Sequence, residues 1–253
     1  MTIYRNPESP LSLPYPVVTV GSFDGMHIGH RTITDRLCSI ARSERGTATL
    51  VTLYPHPRKV LGLDTEGFFT LSSLEEKERL LEDAGVEALV EIEFTSAVGM
   101  MGSEEFVRRI LHETIGARHV IVGYDHHFGH DRRGDFSSLS ALGRELGFEV
   151  TQMSRQDAEG EKVSSTTVRN ALMCGDMDTA VRYLGHPYLF VGEVRDGVLS
   201  VNDDMKLMPP AGRYLAECDG KDTAVAVSGR AIECHGIPDG RCAIGIKSTI
   251  PSV

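Results

Sequence analysis

One turn, Gly21-Ser22-Phe23-Asp24-Gly25-Met26-His27-Ile28-Gly29-His30, does most to restrict the folds open to this chain. The apolar run Val17 to Val20 precedes it, and Ile28 to Arg42 follows with Ile33, Leu37, Ile40 and Ala41 at helical spacing. A strand that passes through glycines into a helix is the opening unit of a doubly wound α/β sheet. There, helix N-termini direct unpaired N–H groups at ligand phosphates. The alternation continues along the chain. Ala48 to Leu53, Ala88 to Ile92, His119 to Val122 and Phe148 to Met153 read as strands, with helices at Ser72 to Ala84, Ser103 to His112 and Ser137 to Leu146. Right-handed crossovers then give a mostly parallel sheet covered on both faces.

After Tyr188 the texture changes to short alternating segments, Leu189 to Val194, Arg213 to Cys218 and Thr223 to Val227, separated by Gly, Asp and Pro turns. The expected organisation is an α/β domain over residues 1–187 and a small β domain over 188–253. At 253 residues either part can bury a core without a metal or disulfide staple.

Charge and cysteine usage narrow the function classes. A formal net charge of −10 opposes attraction to a nucleic-acid backbone, and no apolar run approaches the length that spans a bilayer. The first residues show no cationic start followed by an apolar core, so a secretory signal is not expected. Five scattered cysteines without a CxxC pair suit a reducing compartment, and the expected location is the cytoplasm. Oligomeric state is not readable from these features.

Two constellations carry chemistry. In the first, Gly21 and Gly25 let the backbone turn tightly and approach an anion, and Gly29 leaves room above the first helical turn. His27 and His30 are three apart, so at a helix start they share a face and can donate to phosphate oxygens as charge moves onto a leaving pyrophosphate. The second is Val163-Ser164-Ser165-Thr166-Thr167-Val168-Arg169, which opens a helix running towards Cys174. Its hydroxyls suit a helix cap; together with Arg169 they also suit an anion clamp. Neither a Walker A sequence nor GxGxxG occurs.

These residues belong to a longer set. The chain offers GSFDGMHIGH at Gly21 to His30, TLYPHPRKVL at Thr52 to Leu61, VGYDHHFGHDRRGD at Val122 to Asp135, VSSTTVR at Val163 to Arg169 and LGHPY at Leu184 to Tyr188. In this order they resemble the FMN adenylyltransferase module of bacterial bifunctional riboflavin kinase/FAD synthetases. The resemblance covers nearly all of Val18 to Tyr188.

It implies a Rossmann-like HxGH nucleotidyltransferase domain that takes ATP and FMN as partners, with Mg²⁺ accompanying the nucleotide, and yields FAD and pyrophosphate. It implies that His27, His30 and Arg169 act at the reacting phosphate. ATP would be bound by Gly21, Ser22, Phe23, Asp24, Gly25, His27, Gly29, His30, Ser164, Ser165, Thr166 and Arg169. The flavin would be bound by His56, Pro57, Asp125, Phe128, Arg133 and Asp135. His126 departs from the family pattern, which has an aromatic residue there. Metal-binding residues stay unassigned: the His-rich stretch from Tyr124 to Asp131 reads as a substrate loop, with adjacent His126 and His127 pointing to opposite sides of an extended chain.

In the family a flavokinase barrel with a GxPTAN signature follows. Leu189 to Val253 contains no PTAN and reads as too short for the whole barrel, so the expectation is a reduced flavokinase-like β domain without riboflavin kinase activity. On that reading the transferase core keeps its own sheet without the tail. Two alternatives stay open at this point: a transferase of the same fold with another phosphate acceptor, or a non-catalytic flavin- or nucleotide-binding protein.

Overall fold

The computed structural model describes residues 1–60, 62, 68–124, 128–129, 134–153 and 163–251. Asp125 and Arg133, two of the positions expected to bind flavin, lie outside them, as does His126. Two compact units divide the chain: Met1–Phe23, His30–Glu66 and Leu81–Glu159 form the first, and Asp24–Gly29, Gly67–Leu80 and Gly160–Val253 the second.

The strands of the sheet are β1 (Thr2–Arg5), β2 (Pro16–Val20), β3 (Thr47–Tyr54), β4 (Ala88–Glu93), β5 (His119–Val122) and β6 (Glu149–Gln152). All lie in the first unit, every pairing is parallel, and the order is β1-β4-β3-β2-β5-β6. Among the described residues the α-helices are α1 (Ile28–Ser43), α2 (Pro57–Val60), α3 (Leu74–Asp83), α4 (Ser96–Gly99), α5 (Ser103–Phe106), α6 (Phe136–Leu146), α7 (Ser165–Met173) and α8 (Met177–Leu184).

Burial on both faces explains why β2 and β5 read as unbroken apolar runs: Val17, Val18, Val120 and Ile121 are fully buried. Buried Thr19 fits because its hydroxyl donates to the Ile121 carbonyl at 3.0 Å. On one face Val18, Val51, Val90 and Val120 pack with Phe106, Val107, Leu111 and Leu139. The helix expected over Ser103 to His112 is one α-turn, α5, continued by a π-helical stretch, Val107–Thr114. The short edge strand β1 escaped the sequence reading because none of its four residues is fully buried, and so no apolar pattern marks it.

Strand order reverses at β2, whose successor β3 lies on one side and β5 on the other. In doubly wound sheets the ligand crevice opens at that point, beyond the carboxyl ends of the two strands. Here those ends are Val20 and Val122, followed by Gly21 and Gly123.

The second unit contains a closed six-stranded barrel, where the sequence points to a small β domain. Its strands are β7 (Tyr188–Arg195), β8 (Val198–Ser200), β9 (Gly212–Cys218), β10 (Lys221–Ser228), β11 (Ala231–Glu233) and β12 (Gly240–Thr249), ordered β10-β11-β8-β7-β12-β9. Three-residue strands at β8 and β11 make closure possible in so few residues. The core of this unit mixes barrel residues Tyr188, Phe190, Tyr214, Ile232 and Ile244 with Val168, Leu172, Met177 and Leu184 of α7 and α8, and with Leu71. A barrel that shares one core with α7 is no detachable tail. Among the described residues no helix is long and apolar enough to cross a membrane.

Candidate active site

Within the second unit Asp24 is the hub. Its carboxylate is 2% exposed and accepts from the backbone N–H of Leu71 at 2.9 Å and of Ser72 at 3.1 Å, while Arg169 Nη2 donates to Oδ2 at 2.6 Å. Burial of a charge is tolerated when its lone pairs are this fully engaged. Arg169 is held in turn by the Phe69 carbonyl, which accepts from Nε at 2.6 Å, and its guanidinium lies 4.7 Å over the Phe68 ring.

Gly25 follows at φ +78°, with its N–H donated to Ser72 Oγ at 3.2 Å. An alanine methyl there would come within 2.7 Å of Leu71 Cδ1, so both backbone and space require glycine. Phe23 and Met26 also have positive φ, at 43° and 42°. Left-handed conformations at bulky residues mark a loop held against its intrinsic preference. A methyl at Gly29 would lie 3.3 Å from the His27 ring, a tight contact that the ring would have to yield to by a few tenths of an ångström.

The start of α7 shows which hydroxyl does what. Ser164 is the N-cap: its Oγ accepts from Thr167 N at 3.2 Å, and Thr167 Oγ1 accepts from Ser164 N at 2.8 Å. Ser165 Oγ instead donates to the Asp24 carbonyl at 3.0 Å, tying the helix start to the glycine loop. Thr166 is exposed. Asp24, Gly25, Ser165 and Arg169 are therefore brought together.

Helix α1 begins at Ile28, so His27 occupies the residue before it and His30 its third position. His27 is buried, and that burial lowers its pKa from the ordinary 6.5 to about 4, against the opposing pull of Asp24. At neutral pH it is an uncharged imidazole with one N–H donor. The linkage follows in sign: between 6.5 and about 4 the unfolded chain binds the proton that the folded chain refuses, so stability falls as pH falls through that window. Relative to His27→Gln, the native protein is expected to lose up to roughly 3 kcal/mol between pH 7 and pH 4. Urea unfolding of both proteins at the two pH values checks this, and parallel losses would contradict it.

In the first unit, His30 lies against Phe23, ring centroids 4.7 Å apart. Gly21 donates its N–H to the Val51 carbonyl at 3.0 Å, and a methyl at Gly21 would strike the Phe23 ring at 2.9 Å. Ser22 beside it is half-buried. His56 and Pro57 stand after β3 at the start of α2, where His56 Nδ1 accepts from Arg58 N at 3.3 Å. Phe128 pairs through its backbone with Gly134 and turns its ring towards Phe106 at 6.4 Å. Asp135 caps α6, accepting from Ser138 N at 2.8 Å. Among the described residues no cluster of three His, Cys, Asp or Glu side chains gathers that could hold a metal.

Several site-shaping residues were not anticipated. Glu76 Oε2 accepts from Ser73 N at 2.7 Å and meets Lys206 Nζ at 2.8 Å; Glu76 Oε1 accepts from Val191 N at 3.2 Å. Lys206 is 1% exposed and also donates to the carbonyls of Leu71 at 2.6 Å and Leu189 at 2.8 Å. Burial lowers its pKa, with Glu76 opposing. Leu71 thus gives its N–H to Asp24 and its carbonyl to Lys206. The Ser73-x-x-Glu76 capping box was visible in the sequence; the barrel lysine that completes it was not.

The family model for FAD synthetase matches residues 12–167. The chain is 32% identical to the FAD synthetase of Listeria monocytogenes over 92% of both chains. It is 35% identical to the bifunctional riboflavin kinase/FMN adenylyltransferase of Pseudomonas fluorescens, over 80% of this chain and 68% of that one. With the Escherichia coli enzyme of the same name it shares 32% identity over 72% of this chain and 58% of the relative. A crystal structure of a macrolide-efflux protein from Streptococcus pneumoniae has the same fold, with TM-score 0.80 and 23% identity over 99% of this chain and all of that one.

Proposed function

Because the chain belongs to the FAD synthetase family, it is an FMN adenylyltransferase, and we propose that its glycine–histidine loop and the start of α7 hold the triphosphate while AMP passes to FMN. A phosphate oxygen of FMN attacks the α-phosphorus, the bond to the bridging oxygen breaks, and pyrophosphate departs with that electron pair. No covalent enzyme intermediate is needed, so the protein supplies position and positive electrostatics.

The observation that carries the assignment of residues is the hub around Asp24, which fixes Arg169 and, through Ser165, the α7 start to the loop. Asp24 acts by holding Arg169, and its carboxylate is already engaged. Arriving negative charge favours a second proton on His27, and the resulting imidazolium donates to a phosphate oxygen. His30, three residues on, donates to the same phosphate region. Gly21, Ser22, Phe23, Gly25 and Gly29 shape the backbone around the anion, and Ser164 and Thr166 belong to the same helix start.

On the flavin side the proposal keeps His56 and Pro57 as contacts, with Asp125 and Arg133 on the segment after β5. Phe128 and Asp135 stay among the proposed flavin-binding residues. Mg²⁺ arrives with ATP, and no residue is assigned to it. The barrel is read as a reduced flavokinase-like module, and the enzyme's place as the cytoplasm, where free thiols such as the five cysteines here persist.

The test is purified protein with Mg²⁺ and ATP, offered FMN, riboflavin or phosphopantetheine, with products separated by chromatography. FMN is expected to give FAD, and riboflavin neither FMN nor FAD. Absence of FAD from FMN would overturn the acceptor assignment. FMN formed from riboflavin would overturn the reading of the barrel.

A further inference from the structure

We propose that His186 is a positioning residue for the glycine–histidine loop and acts as an imidazolium, with one N–H on the Gly25 carbonyl and the other on the Pro187 carbonyl. The inference rests on the adenylyltransferase reading of that loop. His186 follows Gly185, which ends α8 at φ +75°. Its Nε2 lies 3.0 Å from the Gly25 carbonyl oxygen and its Nδ1 2.8 Å from that of Pro187. Both partners are acceptors only. A neutral imidazole has one N–H and one lone pair, so it satisfies one carbonyl and sets its lone pair against the other; the doubly protonated ring satisfies both.

The peptide it holds is pinned from both sides, because Gly25 donates its own N–H to Ser72 Oγ. One residue earlier is Asp24, and two later is His27. The same corner touches the loop again on the far side of His27: a methyl on Gly185 would meet Ile28 Cγ2 at 2.8 Å. His186 and Gly185 therefore brace the loop on either side of a phosphate-facing imidazole.

Charged or titratable side chains on the segments that meet His186 include Asp24 and His27 in the loop, Arg182 and Tyr183 in the last turn of α8, and Tyr188 in β7. Asp24 is paired with Arg169, burial holds His27 neutral, Arg182 lies over the Tyr183 ring, and Tyr188 donates to the Leu207 carbonyl.

The protonated ring secures the loop, so the KM for ATP in the native protein is expected to rise with pH as the imidazole loses its proton, in the region of about pH 6–8. His186→Arg keeps two donors at every pH and removes that rise. His186→Gln keeps one donor and raises the KM for ATP about tenfold at the acid end, with a smaller effect on kcat. Nitrogen NMR of labelled histidine reads the ring directly and is expected to show both nitrogens protonated at about pH 6. A neutral His186 ring at that pH, or the same pH dependence of KM in the native protein and in His186→Arg, would overturn the proposal. Failure to make FAD at any pH would instead defeat the functional reading, with the NMR result still readable.

Discussion

Replacing Asp24 with alanine is expected to cost about 3–5 kcal/mol of stability, the range for stranding one member of a buried ion pair. The folded remainder is expected to lose nearly all transferase activity. Three sets of donors converge on this carboxylate: Arg169 Nη2, the N–H groups of Leu71 and Ser72, and the Ser72 hydroxyl. Alanine leaves the backbone donors buried without their acceptor and the guanidinium without its counter-charge, and each loss is costly where water cannot enter. The catalytic loss has a separate cause, because Arg169 is then free to leave the α7 start. A double variant separates the two. Asp24→Asn with Arg169→Met removes both charges, so it is expected to recover part of the stability and none of the turnover. Urea unfolding with turnover per folded molecule decides it. Activity returning along with stability would mean that the pair is scaffold only.

How much of this was legible in the sequence depends on the range of the interaction. Short-range signals were readable: the apolar run before Gly21, the helical spacing after it, and the Ser164-x-x-Thr167 start of α7 each describe a few consecutive residues. So was the turn at Gly25, since its φ of +78° is a local property of the loop. The hub was half legible. Asp24 and Arg169 both stood among the expected ATP-binding residues, but their contact spans 145 positions and no local pattern announces it. Thermodynamics hid Lys206 more thoroughly. A lysine between two strands is read as surface, and its burial becomes sensible only when Glu76 and two backbone carbonyls are seen around the ammonium. The barrel was legible only as β texture, because strands of three residues carry too few side chains for alternation to show, while closure needs only their backbone pairs.

A chain ending after Tyr188 is expected to make no FAD, because the barrel supplies one side of the segment that holds Asp24 and Arg169. Met205 accepts from Thr70 N at 2.7 Å, Leu207 N donates to the Thr70 carbonyl at 2.8 Å, and Lys206 takes the Leu71 carbonyl at 2.6 Å. Truncation removes all three and leaves Glu76 without Lys206 and Val191 N. It also uncovers Leu71, Val168, Leu172 and Leu184, which share their core with Phe190, Ile232 and Ile244. The first unit keeps its own core around Val18, Val51 and Val120, so circular dichroism is expected to retain parallel-sheet signal while activity disappears. A point variant makes the same argument without removing the core. Lys206→Met strands buried Glu76 and is expected to cost about 3–5 kcal/mol; adding Glu76→Gln recovers much of that. If the Leu71 carbonyl needs the ammonium to keep Asp24 in place, the double variant stays folded with a raised KM for ATP. Lys206→Arg, which keeps the charge and its donors, restores that KM in part. A truncated chain that melts cooperatively and converts FMN to FAD at the native rate would show instead that the 69–72 segment holds its shape alone, and that the barrel serves something other than this site.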